Sequence, residues 1–430
     1  MRTRALCLLL LLTLSLPGIT LQEAVERGKA LSHRVSLKKI DEEGASLGLD
    51  NARYARLFTV AFGSSFTAKS DFPELSLSLP SASGTPLNIQ RTLGSWDSYD
   101  ARVALSQPLW TGGTLTSLLR KSEREWEAAR WDRKGAEREA ASLVKGSFYL
   151  YRMLRAKEEN LGQLVERLRL HRKRLELLLK EKQIRRSDLL ETDARINENL
   201  LNLEETRELK DQEALRFQRL CDISPESIEG TPSEREWSLQ EALSLYRENH
   251  PLFRSLEKRR EAWQYQKRAV EGLSKPQLAL FTELHFGKPG LNSLQNRGAL
   301  YALGGVSLTF PLFQWNRSKR DSRIAELGIE RTTNSLEERA KDVEETLRQT
   351  FRALESVNRR LELTQELVLI SRQDLLLKER LYREAQLPHL DYLGALTAEE
   401  SRLSQKEALS FLRESLLLRI DALVAPEPEA

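Results

Sequence analysis

Val103-Ala-Leu-Ser-Gln-Pro-Leu-Trp110 returns 203 residues later as Val306-Ser-Leu-Thr-Phe-Pro-Leu-Phe313. At the same offset Ser187-Asp-Leu-Leu190 returns as Leu390-Asp-Tyr-Leu393. The opening Leu21-Gln-Glu-Ala24 returns as Leu239-Gln-Glu-Ala242, now offset by 218. Two similar halves therefore differ by 15 residues between the opening helix and the Pro-Leu-aromatic motif. A fixed long period of this kind marks a duplicated structural unit rather than one globular core.

The repeated motif closes a segment with an alternating pattern. In 98–109, Tyr99, Ala101, Val103, Leu105 and Leu109 alternate with Ser98, Asp100, Arg102 and Ser106. Three other segments do the same: 57–68 (Phe58, Val60, Phe62, Phe66), 277–286 (Leu278, Leu280, Leu284, Phe286) and 300–312 (Ala302, Val306, Leu308, Phe310). About ten residues with one apolar and one small or polar face suit a transmembrane β-barrel strand, and equally a half-exposed strand of a soluble sheet. Loops at 69–97, rich in Ser, Pro and Gly, and at 287–299 join the strand pairs, and their unequal lengths account for the change of offset.

Between these strands the period becomes helical. Leu115 to Asp222 contains no proline, and neither does Leu312 to Leu387, so each reads as long charged helices with a leucine stripe. Sixty to seventy helical residues reach roughly 100 Å at ~1.5 Å each. Each helix breaks once, near 182–186 and near 385–388, and a second helix then starts with Asp188 or Asp391 near its N-terminus. Their apolar stripes need partner helices. The expected division is a signal peptide at 1–20, a first repeat at 21–222, a connector at 223–237, a second repeat at 238–423 and a disordered tail at 424–430.

Composition agrees with extended helices: 30% of residues are charged and 40% hydrophobic. The net charge of +4 is spread along helices with interleaved acids, which argues against nucleic-acid binding. Arg2 and Arg4 precede an apolar run from Ala5 to Leu16, too short for a spanning helix but suited to a secretory signal, with cleavage near Gly18 or Thr20. Cys221 is then alone, so no disulfide framework exists. His33, His171, His250, His285 and His389 have no metal-ligand spacing, and no phosphate-binding glycine loop appears. No cofactor, metal site or catalytic constellation is expected, and the protein is read as not an enzyme.

Four strands cannot close a barrel, and an open edge cannot face lipid. Three chains supply twelve strands, and a trimer also covers the helical stripes. The expected class is α+β, mainly α: a trimeric duct in which a 12-stranded transmembrane β-barrel, four strands per chain, continues into a long α-helical barrel.

At this point the chain resembles the TolC-like outer-membrane efflux protein family, over about 21–423. Ser238-Leu-Gln-Glu-Ala-Leu-Ser-Leu-Tyr-Arg-Glu-Asn-His-Pro-Leu252 is similar to the family's repeat opening. Gln107-Pro-Leu-Trp-Thr-Gly-Gly113 and Phe310-Pro-Leu-Phe-Gln-Trp-Asn316 resemble its strand-to-helix junctions, the second with Trp315-Asn316 in place of Gly-Gly. Tyr382-Arg-Glu-Ala-Gln-Leu-Pro-His-Leu-Asp-Tyr-Leu393 resembles its hairpin turn and helix start.

The resemblance implies a passive outer-membrane channel of a tripartite efflux or type I secretion system. It would export small molecules or polypeptides with a periplasmic adaptor and an inner-membrane pump, as a homotrimer in outer-membrane lipid. The turns Lys182, Gln183, Ile184, Arg185, Arg186 and Ala385, Gln386, Leu387, Pro388 would form the adaptor-docking tip. Lys182 and Ala385 stand where glycine is frequent in the family. Asp391 matches a carboxylate that narrows the closed pore, with Gly394 in place of a second acid, and Asp188 and Glu191 are the first-repeat equivalents. The plain alternative is that these aspartates only start helices. Trp96, Trp110 and Trp315 lie near strand ends, where rings favour the membrane interface or simply pack. The competing function is a periplasmic coiled-coil adaptor or scaffold without a pore.

Overall fold

The computed structural model describes residues 19–424 apart from 72–73, 81–83, 85, 93–95, 229–236, 293–294, 296 and 385. Most of the expected signal peptide, the tail beyond Val424 and the centre of the connector therefore lie outside the described residues.

Each half of the chain runs through the same helices. α1 (Leu21–Leu31), α2 (His33–Tyr54), α3 (Thr114–Lys180) and α4 (Arg186–Cys221) have 11, 22, 67 and 36 residues. The second half repeats these lengths in α5 (Leu239–Asn249), α6 (Pro251–Gly272), α7 (Arg317–Arg383) and α8 (His389–Val424). The two openings start alike for a local reason. Thr20 accepts from the Glu23 amide while Glu23 accepts from the Thr20 amide. Ser238 likewise accepts from the Glu241 amide. A hydroxyl cap with a glutamate three residues on satisfies amides that the first turn leaves unpaired.

Between α2 and α3 lie β1 (Thr59–Ala68), β2 (Glu74–Leu79), β3 (Leu87–Thr92) and β4 (Asp97–Trp110). Between α6 and α7 lie β5 (Gln277–Lys288) and β6 (Ala299–Thr309). The four expected strands form one antiparallel sheet in the order β1-β4-β5-β6. β6 ends three residues before the expected boundary at 312, because the proline at 311 has no amide for the ladder. Pro108 is accommodated inside β4 by a slip of register between Pro108 and Trp110. The loop expected over 69–97 needs correction: β2 and β3 pair there as a separate hairpin. Leu75, Leu77 and Leu79 alternate with serines in β2, a period-2 signal that the Ser/Pro/Gly composition hides.

The chain packs as two compact units, and each draws on both halves of the sequence. One comprises the segment ending at Ile40, Trp131–Arg254 and the segment from Glu337. Its main core gathers Leu21 and Val25 of α1, Val144, Phe148 and Tyr149 of α3, Phe217 and Cys221 of α4, and Leu418 of α8. Gly28 seats α1 there, since a Cβ would lie 2.5 Å from a Val144 methyl. A second core joins Leu164 and Leu168 of α3, Ile196 of α4, Leu375 of α7, and Leu393 and Leu396 of α8. The other unit, Asp41–Arg130 with Ser255–Leu336, contains the sheet.

In this second unit the strand-to-helix junctions share a backbone conformation that their sequences do not share. Gly112 and Gly113 have φ of 65° and 89°, and Trp315 and Asn316 have φ of 50° and 57°. At Gly112 a Cβ would also lie 2.4 Å from the Gly272 carbonyl oxygen. Glycine is the ordinary solution for such a turn, and the second half makes it with a tryptophan and an asparagine.

Candidate functional site

The sheet register sorts its side chains into two faces. Val103 of β4 lies opposite Phe62 of β1 and Leu284 of β5, and Leu284 lies opposite Ala302 of β6. This face continues through Val60, Phe66, Leu280, Phe286, Leu300, Val306 and Leu308, all exposed, with Phe62 at 73%. The opposite face places Arg102 against His285 and Asp100 against Gly287. His285 there sits between two carboxylates, Nδ1 at 2.9 Å from Asp100 and Nε2 at 3.0 Å from Glu283, and stacks on Tyr301. An apolar face of this extent open to solvent needs a covering that the described residues do not supply. β1 and β6 are the edges of the sheet, and each pairs with one neighbour only.

Aromatic residues mark both ends of the sheet. Trp96 immediately precedes β4 and Trp110 ends it, while Trp315 follows β6 at the same end as Trp110, and all three are exposed. No helix among the described residues is long and apolar enough to cross a membrane.

The two helical turns lie in the first unit, and the structure brings them together. α3 ends in a Schellman arrangement: the Gln183 amide donates to the Leu178 carbonyl at 2.9 Å and the Lys182 amide to Leu179 at 3.0 Å. Lys182 takes the left-handed conformation this requires, with φ of 58°. The Gln386 amide donates to the Leu381 carbonyl at 2.9 Å, the matching bond at the end of α7. Lys182, Gln183, Arg185, Arg186, Gln386 and Pro388 are exposed. Ile184 is half-buried, Leu387 is half-buried against the second core, and Ala385 lies outside the described residues.

Of the expected constriction residues, Asp188 is already engaged. Its carboxylate accepts from the Arg185 amide at 3.2 Å and from the Ser187 hydroxyl at 3.3 Å, which caps the start of α4. Asp391 is exposed in the first turn of α8, with its amide donating to the Pro388 carbonyl. Glu191 is half-buried and faces His389 electrostatically.

Sequence reasoning missed what holds the turns together. His171 of α3 stacks on His389 of α8, Tyr382 of α7 stacks on Tyr392 of α8, and His171 meets both tyrosines at a tilt. Thr192 of α4 is 3.0 Å from His389 Nε2. Burial, reinforced by the neighbouring His389 and Arg174, pushes His171 down to about 4. Burial also lowers His389, against the pull of Asp188 and Glu191. No local signal points to this cluster, because its histidines are 218 residues apart. Among the described residues no three His, Cys, Asp or Glu side chains are placed to hold a metal ion.

Residues 242–423, nearly the whole second half, match the sequence model of the Outer membrane efflux protein family. The match lies within the second half of the chain and does not reach the first. No curated protein sequence matches the chain. The fold of this chain is similar to those of solved outer-membrane proteins. The outer membrane protein VceC from Vibrio cholerae aligns over 94% of this chain and 95% of its own, with a TM-score of 0.73 at 17% identity. The Campylobacter jejuni CmeC outer membrane channel aligns over 94% and 85%, with a TM-score of 0.73 at 14% identity. The open state of the Neisseria gonorrhoeae MtrE outer membrane channel aligns over 94% and 88%, with a TM-score of 0.73 at 16% identity. These alignments span both halves, so the first half shares the fold although the family match is confined to the second.

Proposed function

We propose that three copies of this chain form an outer-membrane efflux duct, with a twelve-stranded barrel in the bilayer and the long helices continuing it through the periplasm. The observation that carries the reading is the four-stranded sheet with an exposed apolar face and open edges at β1 and β6. In lipid every backbone amide and carbonyl needs a partner, so such a sheet is stable only when closed into a ring. β6 of one copy then pairs with β1 of the next, and the apolar face meets the bilayer. The coiled-coil adaptor reading leaves that face without a function.

The duct performs no bond chemistry. Its part is to exclude lipid and cargo from one another while a pump supplies the energy. The exposed turn residues, Lys182, Gln183, Arg185, Arg186, Gln386 and Pro388, would offer the adaptor and pump a polar docking surface. Asp391 is the better of the two gating aspartates, because the carboxylate of Asp188 is occupied as a helix cap. Three copies of Asp391 around a three-fold axis would repel each other and attract cations.

Electron microscopy of the detergent-extracted full chain tests this reading. Long particles with three-fold end views are expected. A monomer that stays in solution without detergent would overturn it.

A further inference from the structure

The β6–α7 junction combines features that the corresponding β4–α3 junction does not. Apolar exposure does not stop where β6 ends at Thr309: Phe310, Leu312, Phe313 and Trp315 remain exposed. Phe313 and Trp315 form an edge-on pair with centroids 4.8 Å apart, exposed at 72% and 75%. A bulky residue at positive φ is rare, and backbone strain of this kind gathers at functional positions. Trp315 accepts it where the equivalent position of the first half is Gly112.

The next turn is basic. Arg317, Lys319 and Arg320 are exposed in the first residues of α7, which has no acid in its first turn. Cations there oppose the helix dipole, so local helix energetics do not favour them. In the first half the same positions are the neutral Thr114, Thr116 and Ser117. Arg320 Nη1 donates to the Trp315 backbone carbonyl at 2.7 Å and so ties the turn to the start of α7. Arg317 Nε is 3.5 Å from Asp321, an exposed pair that an incoming anion can exchange. Beside them lies a cleft of about 330 Å3 with Val270, Leu273 and Pro311 on its apolar wall and Gln314, Arg317 and Ser318 on its polar side. Asp321 also borders it, while Lys319 and Arg320 lie outside its lining on the same helix start.

We infer that this junction binds the headgroup of an anionic phospholipid. The phosphate meets Arg317 at the cleft, and Lys319 adds positive charge at the same helix start. The acyl chains run along Leu312, Phe313 and Trp315 toward the apolar face of the sheet. Aromatic rings at the interface with adjacent cations are the combination that a negatively charged leaflet selects. The inference rests on the reading of the sheet as membrane-embedded, and it places the junction at the inner surface of that membrane.

Native mass spectrometry of the full chain in non-ionic detergent, titrated with phosphatidylglycerol or phosphatidylcholine, tests it. Wild type is expected to retain phosphatidylglycerol at concentrations on the order of tenfold below those needed for phosphatidylcholine. The Arg317→Gln, Lys319→Gln double variant removes only exposed side chains and should lose this preference. Trp315→Gly keeps the turn in the form the first half uses and should weaken retention of both lipids. Equal retention of the two lipids by a wild-type trimer, or unchanged preference in the double variant, overturns the lipid site and leaves the duct standing. A detergent-independent monomer overturns the duct and this site with it.

Discussion

His171 and His389 stack with their ring planes 8° apart, and Nε2 of the first lies 3.2 Å from Nδ1 of the second. The surrounding bonds assign the protons. Thr192 donates its hydroxyl to the Asp188 carbonyl at 3.0 Å, so its oxygen is left to accept from His389 Nε2. His389 Nδ1 is then an acceptor, and His171 Nε2 supplies the proton between the rings. This chain of bonds ties α3, α4 and α8 at the turns, and it requires His389 to be neutral.

Acid should therefore loosen the turns. His171 falls from an ordinary value near 6.5 to about 4 because burial disfavours its charged form. Between those values the unfolded chain binds a proton that the folded chain excludes, so stability falls as pH drops from about 6.5 to about 4 and levels off below. The full shift corresponds to about 3 kcal/mol for this one residue. His389 acts in the same direction, while Asp188 and Glu191 restrain it and Arg174 adds to the pressure on His171. Amide protection factors over 164–196 and 375–396, referred to the intrinsic exchange rate at each pH, should fall between pH 7 and pH 5. His171→Phe should flatten that dependence, and a profile as steep as wild type would contradict the assignment.

Lys182 carries a conformation its side chain disfavours. At φ of 58° a Cβ crowds the following carbonyl, and the side chain is exposed. Lys182→Gly should stabilise the α3–α4 hairpin by roughly 0.5–1 kcal/mol, net of the extra freedom of glycine in the unfolded chain. A raised urea midpoint of the helical signal is the expected result, whereas a lowered one would show that the lysine is held by a contact worth more than the strain.

Periodicity explains why so much of this fold is legible in the sequence. Strand segments near 57–68 and 98–109 appear as β1 and β4, and the breaks at 182–186 and 385–388 separate the long helices. These are local patterns that long elements repeat many times. What escaped depends on contacts between distant segments. The role of Asp188 is one case: the residue is identifiable as a helix start, but only the Arg185 amide shows that its carboxylate is committed there. The histidine pair is another, since it arises only when two hairpins pack. The junctions are a third case, because Trp315-Asn316 and Gly112-Gly113 read as different motifs yet share the same left-handed backbone.

The contacts of Ile19 and Thr20 favour one of the two expected cleavage points. Ile19 forms a parallel bridge with Ile228 and packs against the core beneath α1, and Thr20 supplies the helix cap. Cleavage after Gly18 keeps both, whereas cleavage after Thr20 removes the bridge and a cap worth about 1 kcal/mol. Intact-mass measurement of membrane-extracted protein should give Ile19 as the first residue. A mature chain beginning at Leu21 would refute the argument.

Gly394 allows the proposed gate to be tested by addition as well as by removal. It is exposed in the second turn of α8, three residues beyond Asp391, and a Cβ there meets nothing within 4 Å. A side chain is therefore accommodated without repacking, and replacing a mid-helix glycine relieves rather than strains the backbone. Gly394→Asp would place a second carboxylate on the same helical face as Asp391, doubling the acidic charge that three chains bring to the axis. In planar bilayers the variant should conduct less and favour cations over anions more strongly than wild type, with the opposite shift in Asp391→Asn. If the reversal potential under a salt gradient is the same in both variants, α8 does not line the conducting path at this level, and Asp391 is left as a helix-start residue alone.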